Sequence, residues 1–256
     1  MSTGNAFERH GIDHLSISSV GLFANEPALW VAERLLGEKA PVGAAAHRGT
    51  AAETGIVAGL MSPGRWTLED CQKQALAAFD DLTALCADPR KDKEREGIAG
   101  LVTQGLKRLL PQGVPSVAQQ RITVNLPGVP VPWLGFLDLG YAPTAERAGV
   151  VVDIKTTLRM PSEPSRAHCR QVALYCYGTR CTAQVAYVTP SKSEVYAVEG
   201  LDTHIADLVN VANRLERFLS LSDDPRELAS VVVPNVDSFY YSDPVTRAMA
   251  LRVFGL

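Results

Sequence analysis

The chain has 256 residues, enough for one large domain or two small ones with a substantial core. Hydrophobic residues at 46%, aromatics at 7% and charged residues at 21% exclude disorder, collagen-like repeats and a disulfide scaffold. The formal net charge of −3 gives no sign of a nucleic-acid partner, since phosphate binders usually carry excess positive charge.

Residues 1–14 carry charges and no apolar stretch of signal-peptide length. The longest apolar runs, such as Ala148 to Val152, are far too short to span a bilayer, so no membrane association is expected. The five cysteines, Cys71, Cys86, Cys169, Cys176 and Cys181, are odd in number and form no C-x-x-C pair. Reduced thiols in a cytoplasmic protein follow, with a zinc or iron–sulfur site the weaker alternative.

The first 110 residues read as mainly helical. A helix capped by Ser18 or Ser19 is expected to run to about Gly37, with Pro27 breaking or kinking it. A second, alanine-rich helix covers about Ala46 to Leu60. Thr67 and Asp70 form a capping box for a third, which reaches Leu85 with an apolar stripe at Leu76, Phe79 and Leu82. The run Lys91-Asp-Lys-Glu-Arg-Glu-Gly97 opens a further helix that continues to Leu110, and its charges read as a solvated face.

From Pro111 the pattern changes to strands: Val117 to Leu126 alternates, Val131 to Tyr141 follows, and Gly149 to Thr157 is a nearly continuous apolar run of the kind buried on both faces. A helix from Ser165 to Gly178, two strands over Thr182–Thr189 and Ser193–Glu199, and helices over Asp202–Leu219 and Asp243–Phe254 complete the chain. The expected fold is α+β in one domain spanning 1–256: a helical part to residue 110, a mixed central sheet over 111–200 flanked by helices, and C-terminal helices from 201.

The segment that carries chemistry is Gly135-Phe-Leu-Asp138, followed by Asp153-Ile154-Lys155. Asp153 and Lys155 are two apart on a strand, so their side chains leave the same face, while Ile154 points into apolar packing. Asp138, expected at the end of the neighbouring strand, can converge on Asp153 if the two strands pair through the loop between Pro143 and Gly149. Carboxylate oxygens of this kind suit Mg²⁺ or Mn²⁺, as one ion or two, and a neighbouring lysine can position a water or offset charge on a phosphate oxygen. Taken alone, an Asp and a Lys in this spacing are as readily an exposed ion pair of small value. Two further features accompany them. Arg48-Gly49-Thr-Ala-Ala-Glu53 places a lone carboxylate in the alanine-rich helix, and Gln171 and Tyr175 share one face of the helix after the third strand.

In this combination the chain resembles the PD-(D/E)XK nuclease superfamily, in its RecB-like, Cas4-like and phage-type exonuclease branch. The similarity covers about residues 15–190 and includes the serine-rich opening Leu15-Ser-Ile-Ser18-Ser19. It implies a restriction-endonuclease-like core, with Asp138, Asp153, Glu53 and the Ile154 carbonyl as metal ligands and Lys155 as the catalytic lysine. Gln171 and Tyr175 would support the site, with Tyr175, Ser18, Arg48 and Thr156 on the DNA. Relatives that carry an iron–sulfur cluster hold it on a cysteine set that is missing here, so no cluster is expected. The implied activity is Mg²⁺-dependent exonuclease action on DNA ends or single strands in phage or bacterial recombination or repair. A single-strand annealing or helicase partner and a homo-oligomer are compatible with it. A structure-specific endonuclease and a non-catalytic DNA-binding subunit are the alternatives.

Charge distribution adds an observation of its own. Between Ile154 and Lys192 stand Lys155, Arg159, Arg166, Arg170, Arg180 and Lys192 against the single acid Glu163. That is an excess of five positive charges in a chain whose total is −3, placed around the expected metal site. Other chemistries find no support. Gly59 to Arg65 has P-loop-like glycines without the lysine or the hydroxyl residue, no G-x-S-x-G or H-E-x-x-H occurs, and the five histidines have no ligand spacing.

Overall fold

The computed structural model describes residues 4–255, which form two compact units. The first contains the residues up to Pro41, Thr123–Gly135 and those from Asp202 on; the second contains Val42–Ile122 and Phe136–Leu201. In chain order the elements are α1 (Ala6–Arg9), α2 (Ile17–Asn25), α3 (Pro27–Arg34), α4 (Ala44–Met61), α5 (Leu68–Leu82), α6 (Lys91–Glu96), α7 (Ile98–Leu109), β1 (Val117–Val124), β2 (Trp133–Tyr141), β3 (Val150–Thr156), α8 (Arg166–Thr179), β4 (Thr182–Val188), β5 (Ser193–Val198), α9 (Leu201–Leu219), α10 (Pro225–Ser230) and α11 (Pro244–Phe254). The class is the expected α+β, with a mixed sheet of strand order β1-β2-β3-β4-β5. No helix among the described residues is long and apolar enough to cross a membrane.

In the first unit the expected single helix up to Gly37 is two, because Pro27 sits at the first position of α3, where its missing N–H costs nothing. Ser16, rather than Ser18 or Ser19, caps α2: its Oγ accepts from the Ser19 amide at 3.2 Å. Ser19 is instead occupied by the indole of the buried Trp30, which donates to its Oγ at 2.9 Å. Between the two helices the buried Glu26 carboxylate accepts from the Asn235 amide and the Tyr241 hydroxyl, and tethers the segment before α11.

The second unit is organised around α4. A Cβ on Gly55 would stand 2.5 Å from the Cys71 carbonyl oxygen, so only glycine lets α4 and α5 approach this closely. Ile56 and Leu60 of α4, Phe79 of α5 and Ile98, Leu101 and Val102 of α7 join Leu139, Val150, Val152 and Ile154 of the sheet in one core. The Thr67–Asp70 capping box forms as expected, while α5 ends at Leu82, three residues early. The expected helix from Lys91 to Leu110 divides at Gly97 into α6 and α7.

The charged run is not wholly a solvated face. Glu94 is buried and pairs with the buried Arg48 guanidinium from α4. Removing one member of such a pair strands an unpaired charge, which costs far more than an exposed pair is worth. Glu94→Ala is therefore expected to lower stability by about 3–5 kcal/mol, against about 1 kcal/mol for loss of the α5 cap in Thr67→Ala; urea unfolding of the two variants tests the order.

Candidate active site

β2 and β3 pair antiparallel, with Leu139 opposite Val152 and Tyr141 opposite Val150. One step beyond Leu139 and Val152 the ladder ends, and there stand Asp138 and Asp153. Asp138 thus lies inside β2 but at the end of its pairing, rather than at the strand end expected from the sequence. Its Oδ2 accepts from the Ile154 amide at 2.7 Å, a side chain doing what a strand carbonyl would otherwise do. Along its other edge β3 pairs in parallel with β4, which sets Tyr187 beside Lys155.

Asp153 has no solvent exposure. The Lys155 ammonium donates to its Oδ1 at 3.1 Å and lies 2.9 Å from Oδ2, which has no hydrogen-bond partner of its own. From α4, Glu53 comes within hydrogen-bonding reach of Asp138, and Asp138 in turn of Asp153. The three carboxyl groups therefore form a row with Asp138 in the middle. At its outer end Glu53 Oε1 accepts from the Gln119 side-chain amide.

Electrostatics follow from this crowding. Burial, followed by the neighbouring Glu53 charge, pushes the Asp138 carboxyl up to about 7. Burial does the same to Asp153, also to about 7, against the attraction of Lys155. Glu53 is raised by burial as well. For Lys155 burial acts downward, but the charges of Asp153 and Asp138 outweigh it, so the ammonium is held above its ordinary value.

α8 covers the Asp153 side of the site. Its N-cap Ser165 accepts from the His168 amide, and four residues apart Gln171 donates to the Tyr175 hydroxyl at 2.9 Å. Tyr175 is buried and its hydroxyl pushed up to about 12, so it remains protonated. His168 Nδ1 lies 2.6 Å from the Tyr187 hydroxyl, which also accepts from the Ser165 amide. Burial, with Lys155 nearby, lowers His168 to about 4, so the imidazole is neutral at physiological pH.

The structure thus brings together Glu53, Asp138, Asp153 and Lys155, with Tyr175 and its partner Gln171 beside them. Ile154 meets the site through its amide, on Asp138. Other expected residues have contacts of their own. Arg48 is spent on Glu94 in the interior and presents no exposed guanidinium for phosphate. Ser18 belongs to the first unit, where its Oγ meets Ser16 Oγ at 3.2 Å. Thr156 faces α4, its Oγ1 3.3 Å from where a Cβ on Gly49 would be.

Arg159, Arg166 and Arg170 occupy the segment before α8 and its first turns. Arg180 ends α8 in left-handed conformation, roughly 20 Å from the helix start by the rise of 1.5 Å per residue. The positive segment is therefore not one patch around Lys155: Arg180 stands at the opposite end of α8. Sequence reasoning also missed Gln119, whose φ of 51° on a strand is unusual for a residue with a side chain. No local motif announces it.

An oxygen-only donor set fits a hard divalent cation, as does the excess of three carboxyls over the one ammonium that lies 2.9 Å from Asp153 Oδ2. Among the described residues no three such groups converge on a common point as placed; the row is the arrangement found. No family model and no curated protein matches the chain. One solved structure, described as the crystal structure of SSO0001, is 16% identical over 65% of this chain and 85% of that chain, with a TM-score of 0.35, too low to bear on fold or function.

The raised carboxyls set a pH dependence. The unfolded chain releases these protons near 4, whereas folded Asp138 and Asp153 hold theirs to about 7. Between those values the folded state binds more protons, so stability falls as pH rises. In chelator-treated protein the melting temperature is expected to drop between pH 5 and pH 8, and less so in Asp138→Asn; scanning calorimetry across that range tests this.

Proposed function

We propose that the second unit hydrolyses phosphodiester bonds in DNA with a divalent cation held by Glu53, Asp138 and Asp153. The observation that carries this reading is the row of three carboxyls that runs from the half-buried Glu53 and Asp138 to the fully buried Asp153, with the Lys155 ammonium upon it. Structural ion pairs seldom gather three acids on one base, because the uncompensated charge is costly. A Mg²⁺ or Mn²⁺ ion bound there supplies Lewis acidity and a water of lowered pKa.

The residues divide the work. Asp138, fixed by the Ile154 amide, keeps the middle of the row in place. Lys155 retains a quarter of its side-chain surface, so its ammonium can both neutralise Asp153 and donate to a phosphate oxygen at the mouth of the site. Gln171 and Tyr175 stiffen the wall against which Asp153 is buried. Exonuclease action is the preferred form, on the resemblance of Glu53, Asp138, Asp153-Ile154-Lys155 and Gln171/Tyr175 to phage-type exonucleases.

Purified protein with linear duplex DNA and Mg²⁺ is expected to release acid-soluble nucleotides while closed circular DNA survives. Asp153→Asn and Lys155→Met are expected to abolish the release, and Gln171→Ala, which frees the Tyr175 hydroxyl, to reduce it. Undiminished release by Asp153→Asn would sink the assignment; cleavage of the circle would replace exonuclease with endonuclease.

A further inference from the structure

Glu53 has a second side. Away from Asp138 it lines a cavity of about 290 Å³ together with Thr50, Val57, Gln74 and Gln119. Gln74 is shared with a second, more open cavity of about 540 Å³, bordered by Arg65, Trp66, Asp70 and Lys73. Gln74 thus stands between the two, one beside the carboxyl row and the other by the turn between α4 and α5, and together they are termed the groove.

The groove's lining is unlike a structural cleft. Trp66 is 37% exposed, whereas Trp30 and Trp133 are buried. An exposed indole between two cations is a surface on which a base stacks while phosphates pair with the flanking charges. Asp70 keeps its negative charge while its carboxylate accepts from the Thr67 amide and hydroxyl in the α5 cap, so stacking on the indole rather than net charge carries the contact. Lys73 pairs with Glu69 at the surface, a contact weak enough for a phosphate to replace. Deeper in, Gln74 Oε1 is buried with no hydrogen-bond partner. An orphaned amide oxygen is suited to a donor such as an exocyclic amino group or ring N–H of a base. A paired duplex hides those edges, so the groove selects an unpaired strand.

We infer that this groove binds single-stranded nucleic acid, with one base stacked on Trp66 and the next turned toward Gln74, delivering the strand to the carboxyl row. The inference rests on the nuclease reading for its direction but not for its test. With Ca²⁺ in place of Mg²⁺ to suppress hydrolysis, a short single-stranded oligonucleotide is titrated while tryptophan fluorescence and the anisotropy of a labelled oligonucleotide are recorded. Wild-type protein is expected to bind with quenching. In Trp66→Phe the quenching disappears, because the two remaining indoles are interior. Trp66→Ala binds about tenfold or more weakly, and Lys73→Glu also binds more weakly. Wild-type affinity in both Trp66→Ala and Lys73→Glu, or no binding by the wild type, would overturn the groove. Binding that depends on Trp66 in a protein inert toward DNA with Mg²⁺ would instead uphold the groove and overturn the nuclease reading.

Discussion

The site of the second unit depends on one physical problem, the charge of Asp153 at the end of an apolar strand. Val150, Val151 and Val152 carry β3 through the interior, and the next residue is a carboxyl group with no exposure. Such a group needs a cation or a proton. The unit supplies Lys155 two residues on, and the same burial holds Asp153 and Asp138 on the verge of ionisation near neutral pH.

A single helix brings the third carboxyl. α4 carries Arg48, Gly49, Glu53 and Gly55 within eight positions, and each faces a different demand. Arg48 anchors to Glu94 of α6, Gly49 allows Thr156 of β3 to come near, and Gly55 admits the backbone of α5. Glu53, between these fixed points, is left to meet Asp138 on one side and Gln119 on the other. The strained backbone of Gln119 is consistent with that placement: strands rarely hold a non-glycine residue at φ 51°, and such outliers persist where surrounding contacts over-determine them. Glu53 thereby belongs to the carboxyl row and to the cavity it shares with Gln74 and Gln119.

Neither the net charge nor its local excess says which cations are free. The cations from Lys155 to Lys192 are concentrated in sequence, but α8 carries Arg180 away from the site. Arg48, which stands in a motif with Glu53, is spent on a buried partner that reads as part of a solvated run. A sequence gives the sign of each charge, while the fold decides which are already paired.

From the sequence alone, the strands around Asp138 and Asp153, the common face of Asp153 and Lys155, the pairing of Gln171 with Tyr175 and the α5 cap were all legible, because each depends on residues within a few positions of one another. The same is true of the break at Pro27. The tertiary structure alone decided that the β2–β3 ladder stops at Asp138, that Glu94 and Arg48 are interior, that Gln119 and Gln74 share a wall with Glu53, and that Gln74 also borders the cavity of Trp66. Those relations join residues tens of positions apart, through glycine-mediated helix packing and strand register, and no local spacing encodes them.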